Sequence, residues 1–135
     1  MKEWSKAWIE SKQPRKQRKY RHKAPLHVRH KFVSAHLSPD LRKQFSRRSF
    51  PIRKGDGVMI TTGKFKGMRG DVTRVDLSRC MVYVEGTNIK KVDGSELARS
   101  IDPSNLIITK LNLDDKRRKM AIDRAPMKAE TAKEK

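Results

Sequence analysis

The sequence predicts a mainly β fold, a small barrel with a basic N-terminal extension holding short helices and with a short C-terminal helix. Three observations carry that prediction. Five of the chain's seven glycines fall at positions 55, 57, 63, 67 and 70, between short runs of apolar residues. Glycine reaches positive φ without a steric penalty, so this spacing places tight turns between strands. Beyond these turns apolar residues recur every second position, as at Val58 and Ile60 and at Cys80, Val82 and Val84, the period of a strand with one buried face. Charge is also split along the chain: residues 1–54 hold 17 Lys or Arg and 3 acids, while residues 55–135 hold 17 and 12.

At 135 residues there is room for one small domain plus extensions, since domains typically hold ~100–150 residues. The net charge of +19 favours a polyanionic partner, because an arm that repels itself gains by lying along phosphates and releasing their counterions. A membrane surface would also supply negative charge, but few sustained apolar faces accompany the cations, and nucleic acid is favoured. No run approaches the ~18 apolar residues of a membrane span, and no secretory apolar segment stands near the start. An intracellular chain without membrane insertion is expected. Cys80 is the only cysteine, which excludes an intrachain disulfide and a cysteine-based zinc site; it reads as an inert buried thiol.

In chain order, Trp4 and Trp8 are spaced i, i+4, as on one face of a short helix that meets a partner or frays. Lys12 to Lys23 is seven-twelfths Lys or Arg. With almost no apolar content to offset backbone ordering, it is expected to be disordered alone and extended on RNA. Its candidate contacts are Arg15, Lys16, Arg18, Lys19, Tyr20, Arg21, His22 and Lys23; a nuclear address signal is the competing reading of the charge. Pro25 suits a first helical turn, followed by the apolar stripe Val28, Phe32 and Ala35, with His27, Arg29, His30 and Lys31 on other faces. Ser38 as N-cap, Pro39 at the first position and Asp40 in the first turn begin a second short helix, docked by Leu41 and Phe45 and flanked by Arg42, Lys43, Arg47 and Arg48. A metal reading of His22, His27, His30 and His36 is set aside, because cations surround them and no carboxylate or thiolate joins them.

Strands are expected at Val58 to Thr61, Asp71 to Val75, Cys80 to Val84, Ile89 to Val92 and Leu106 to Ile108. Val72 and Val75 are out of step, which predicts a bulge, and Asp76-Leu77-Ser78-Arg79 is turn chemistry. Five short strands with tight turns fit a barrel of SH3-like or OB-like kind. Asn105 is expected to cap a turn before the last strand. Asp114 to Lys119 places acids before bases, in agreement with a helix dipole, and residues 125–135 read as a loose tail.

The loop Gly63-Lys64-Phe65-Lys66-Gly67 lifts two cations and an aromatic ring off the sheet, which is what stacking on a base and binding phosphate require; a solvated hairpin tip is the bland alternative. The loop lacks the Gly-Lys-Ser/Thr end of a P-loop and is flanked by strands. Asp56 reads as ordinary turn chemistry. No catalytic constellation is present in the sequence, and neither enzymatic activity nor a cofactor is expected.

Residues 52–78 resemble a KOW motif. The flanking phrases Gln13 to Lys19 followed by Ala24-Pro25-Leu26-His27, Leu37-Ser38-Pro39-Asp40-Leu41-Arg42, Val84-Glu85-Gly86-Thr87-Asn88 with Lys90-Lys91, and Pro103 to Leu111 are similar to the large-subunit ribosomal protein number twenty-four family. The closest branch is the archaeal and eukaryotic one, whose eukaryotic member is numbered twenty-six. Gly57 departs from relatives that carry a bulkier residue there. The resemblance covers about residues 11–122 and implies that the barrel is SH3-like; the chain is thus read as an extended basic arm over 1–24, a helical basic segment over 25–50, the barrel over 51–112 and a helix and loose tail over 113–135. It implies a structural constituent of the large ribosomal subunit that binds the 5′ region of its rRNA, supports early assembly and lies near the nascent-chain tunnel exit. Its partners would be rRNA and neighbouring large-subunit proteins, in the cytoplasm, without homo-oligomerisation. Arg53, Lys54, Lys64, Phe65, Lys66, Arg69, Lys90 and Lys91 complete the candidate RNA contacts. A KOW module of a transcription elongation factor and a DNA-compacting protein are the alternatives; the first expects further domains, and the second leaves the Ser-Pro-Asp and Pro-Ser-Asn phrases unexplained.

Overall fold

The computed structural model describes residues 4–5 and 11–124. Its strands are β1 (Ser34–Leu37), β2 (Ser49–Pro51), β3 (Gly57–Ile60), β4 (Arg69–Asp76), β5 (Met81–Lys90), β6 (Glu96–Ile101) and β7 (Leu106–Lys110). Its helices are α1 (Pro14–Lys23), α2 (Leu26–Phe32), α3 (Pro39–Phe45) and α4 (Lys116–Asp123), and a 3₁₀ turn occupies Pro103–Asn105. The strands form one seven-stranded sheet in the order β2-β1-β7-β3-β4-β5-β6. Every pairing is antiparallel except β1 with β7.

The period-two pattern of Val58 and Ile60 places both in the core, with Val72, Val82, Val84, Leu106 and Ile108 from the neighbouring strands. Ala35 and Leu37 of β1, Phe50 of β2, Ile101 of β6 and Ile122 of α4 join the same cluster. One core therefore gathers all seven strands and the C-terminal helix. The protein is a mainly β domain with N-terminal helices and a C-terminal helix. The expected barrel closure is absent: the sheet ends on β2 and β6, which do not pair among the described residues. On the outer strand Glu96 to Arg99 are all exposed, Leu97 among them, so nothing covers that edge among the described residues.

Two strands precede the five expected ones. Ala35, assigned by the sequence reading to a helical stripe, lies in β1, because α2 stops at Phe32. The expected third and fourth strands are one, β5, with a register shift between Tyr83 and Asn88. Gly86 supplies the positive φ of +78° there, and the buried Thr87 hydroxyl donates to the Val84 carbonyl at 2.7 Å. β6 escapes periodicity because only Ile101 of its residues is buried. The bulge between β4 and β5 occurs as expected, with a shift between Val72 and Arg74. Gly57 opens β3 rather than lying in a turn.

Ser38 caps α3 as expected, its hydroxyl accepting from the Leu41 amide. The cap before β7 is made by Asp102 rather than Asn105: its carboxylate accepts from the Ser104 amide at 2.9 Å. Asp115 is the N-cap of α4.

Candidate nucleic-acid interface

Where the sequence reading has a strand that orders only on RNA, the structure has the ten-residue helix α1, with no buried residue. Its like-charge neighbours at i, i+4 oppose a helix, among them Arg15 with Lys19 and Lys19 with Lys23. Three features act the other way. Pro14 opens the helix, Arg21, His22 and Lys23 sit in the last turn where the dipole favours cations, and Tyr20 anchors one face. The Tyr20 ring lies 5.1 Å from that of Trp4 and 6.2 Å from that of Phe32. Arg15, Lys16, Arg18, Lys19, Arg21 and His22 remain exposed, and Lys23 is half-buried. Trp8 lies outside the described residues, so the expected Trp4–Trp8 face is not described, and neither is the expected tail over 125–135.

On α2, His27, His30 and Lys31 are at least partly exposed. Arg29 is held differently. Its guanidinium donates to the carbonyls of Ala24 at 2.8 Å, Ser78 at 3.3 Å and His22, so it clamps the end of α1 and the β4–β5 turn. Arg42 donates Nε to the Leu37 carbonyl at 2.9 Å and keeps its remaining N–H groups at the surface. Arg47 is half-buried and lies 5.9 Å from the Phe50 ring centroid, while Arg48 is exposed. Arg53 pairs with Asp115, whose carboxyl is held below the usual carboxylate range by that hydrogen bond first and then by the Arg117 amide. Lys54, Arg69, Lys90 and Lys91 are exposed.

At the β3–β4 loop, Gly63 and Gly67 take φ of +89° and +85°, and Lys64 and Lys66 are exposed to solvent. Phe65 is half-buried and packed against the core cluster, so its ring is a wall and not a free blade. It borders a cavity of about 400 Å³ whose apolar side is Ile60, Phe65, Ile89 and Ile101. The polar side includes Lys64, Arg99, Ser100, Asp102 and Asn105. Arg99, Asp102 and Asn105 are absent from the sequence-based candidates. Arg99 stands on a strand without alternation, and nothing in the sequence joins it to the glycine-rich loop. Among the described residues no group of His, Cys, Asp and Glu is placed to hold a metal, and no helix is long and apolar enough to cross a membrane.

A family model described as ribosomal proteins L26 of eukaryotes and their archaeal L24-type counterparts matches residues 11–125. The chain belongs to this family. The match covers α1, the whole sheet and α4, so basic segment and β domain belong to one family unit rather than to a module with an unrelated arm. The chain is 54% identical over 114 residues to the large ribosomal subunit protein uL24 of Methanosphaera stadtmanae, spanning 84% of this chain and 97% of that one. It is 50% identical over 114 residues to uL24 of Methanothrix thermoacetophila, across 84% and 98% of the two chains. With uL24 of Methanoculleus marisnigri it shares 51% identity over 110 residues, across 82% and 91%. Membership makes this a structural protein of the ribosome and not an enzyme, and selects the ribosomal reading over the elongation-factor one.

Proposed function

We propose that the chain is a constituent of the large ribosomal subunit that binds the 5′ region of its rRNA, acts early in subunit assembly and lies beside the nascent-chain tunnel exit. The observation that carries rRNA binding is α1, a helix whose Arg15, Lys16, Arg18, Lys19 and Arg21 are all exposed and have no acid in its first turn. A cationic rod of this kind gains by neutralising phosphates of closely packed RNA helices. In this reading residues 1–24 are the arm, residues 25–50 continue the basic face, residues 51–112 rest the KOW loop on RNA, and residues 113–135 close the domain and leave it. Neighbouring large-subunit proteins meet the remaining surface, and the chain acts as a single copy. A ribosomal protein of this family works in the cytoplasm.

The experiment is sedimentation of a cell extract in high-magnesium sucrose gradients, with the chain followed by antibody. Migration with the large subunit through a moderate salt wash supports the proposal, and crosslinks from Lys64 or Lys66 then identify the RNA segment. Migration with RNA polymerase or bulk DNA overturns it.

A further inference from the structure

The cavity beside the β3–β4 loop joins three kinds of group that the sequence keeps far apart. Its apolar lining is Ile60 from β3, Phe65 from the loop, Ile89 from β5 and Ile101 from β6. Its border carries two cations, Lys64 and Arg99, both exposed. At its edge stands Asp102, half-buried, whose Oδ1 accepts from the Ser104 amide at 2.9 Å and from the Ser104 hydroxyl. Oδ2 of Asp102 and the side chains of Arg99, Ser100 and Asn105 make no hydrogen bond among the described residues. Hydrogen-bonding groups beside an apolar lining describe a site for a flat, partly polar ligand.

The geometry points to a receptor for one unpaired nucleobase of a single-stranded RNA segment, with the adjoining phosphates on Lys64 and Arg99. The inference rests on the RNA-binding reading above and adds the subsite and its base preference. Charge complementarity selects this occupant, because an apolar slot bordered by cations suits a base still attached to its phosphates, as bases splayed from single strands are recognised by stacking and edge contacts. Phe65 is both packed against the core cluster and part of the cavity lining.

Asp102 sets the preference. A carboxylate only accepts, so the base edge in front of Oδ2 must donate. Cytosine offers its N4 amino group and adenine its N6 amino group. Uracil places its ring N–H between two carbonyl oxygens, which a carboxylate repels. The site therefore favours amino-bearing bases over uracil.

The test uses the full chain, isotope-labelled at isoleucine methyl groups, titrated with oligocytidylate and oligouridylate of equal length, which share ring size and backbone. The expected result is that the methyl signals of Ile60 and Ile89 shift with oligocytidylate and that it binds about tenfold more tightly than oligouridylate, the scale of one charge-assisted hydrogen bond. In Asp102→Asn the amide oxygen keeps the cap on the 3₁₀ turn while the amide N–H₂ also donates, so the preference falls to about one. Equal binding of the two strands with unmoved isoleucine methyls, or a preference that survives Asp102→Asn, overturns the subsite and leaves RNA binding standing. Absence of salt-sensitive binding to either strand and to large-subunit rRNA fragments removes the RNA reading and the subsite with it.

Discussion

Arg118 of α4 and Asp56 of the glycine-rich turn meet through two parallel hydrogen bonds, Nη1 to Oδ1 at 2.7 Å and Nη2 to Oδ2 at 2.6 Å, with their side chains 3% and 0% exposed. The pair is a hub. Asp56 also accepts from the amides of Arg53 at 2.8 Å and Asn112 at 3.0 Å, and Arg118 donates to the carbonyls of Asn112 and Pro51. The guanidinium lies 5.3 Å from the Phe50 ring centroid. The start of the KOW motif, the edge strand β2 and the C-terminal helix are thereby fixed to one another.

Replacing Arg118 by Met leaves a buried carboxylate without its countercharge. A loss of about 3–5 kcal/mol is expected, the range for breaking a buried pair from one side, read as a fall in the urea midpoint at unchanged slope. Adding Asp56→Asn recovers part of the loss, since the amide no longer buries a charge yet still accepts from one backbone N–H. A single-variant loss below about 1 kcal/mol, the level of an exposed pair, contradicts the hub.

How far the sequence reaches is visible at this same pair. Asp56 follows a glycine and precedes a strand, so locally it is turn chemistry; Arg118 lies in a basic run, so locally it is a solvated helix. Their 62-residue separation hides a relation that only tertiary packing creates. Patterns confined to a few residues were readable: the Ser38 cap, the alternation in β3 and the bulge at Val72 all rest on neighbours. β6 was not, because a strand with a single buried residue, Ile101, shows no period. Helix α1 was not either, because its like-charged composition speaks against a helix and one of its supports, Tyr20 packing on Trp4 and Phe32, is tertiary. The basic candidates were readable as charges, but burial decides which of them remain available, and Arg29 shows the difference.

Gly70 and Gly63 are expected to resist substitution for different reasons. A Cβ on Gly70 would stand 2.9 Å from the Glu85 carbonyl oxygen and 3.1 Å from Cγ1 of Val84, and the backbone of β5 cannot yield cheaply. Gly70→Ala costs about 1–3 kcal/mol by overpacking, and Gly70→Asn is no better. At Gly63 nothing lies within 4 Å, so its φ of +89° is the obstacle; Asn, which tolerates the left-handed region, is accepted there better than Val. Thermal melts of the four variants separate contact from conformation.

Asp115 gives an acid dependence with a defined sign. Its carboxyl is lowered by the hydrogen bond from Arg53 and the amide of Arg117, so the folded state binds its proton more weakly than the unfolded one. The resulting stability is fully present above the ordinary carboxylate value of about 3.9 and is lost as pH falls through the lowered folded value. Asp115→Asn keeps a capping oxygen but removes this dependence. Acid titrations of unfolding free energy should show a shallower decline for the variant in that window only, with the two proteins differing by a constant amount near neutrality.

Arg29 and the exposed residues of α1 make opposite predictions for RNA binding. If the arm engages ~8 phosphates, the slope of about −0.7 per phosphate for single strands gives a fall in log K of ~5–6 per decade of salt. Changing Arg15, Arg18 and Lys19 together to Gln removes charges that touch no other side chain in hydrogen bonds among the described residues, and the slope should shrink by about 2 while the urea midpoint does not fall, since the repulsion between Arg15 and Lys19 is removed as well. Arg29→Gln removes a guanidinium already committed to the carbonyls of Ala24, Ser78 and His22. Its midpoint should fall, because three carbonyls lose their donor, while its salt slope barely changes. Should Arg29→Gln lower the slope as much as an α1 residue does, its guanidinium leaves those carbonyls for phosphate, and the clamp between α1 and the β4–β5 turn exists only in the free protein.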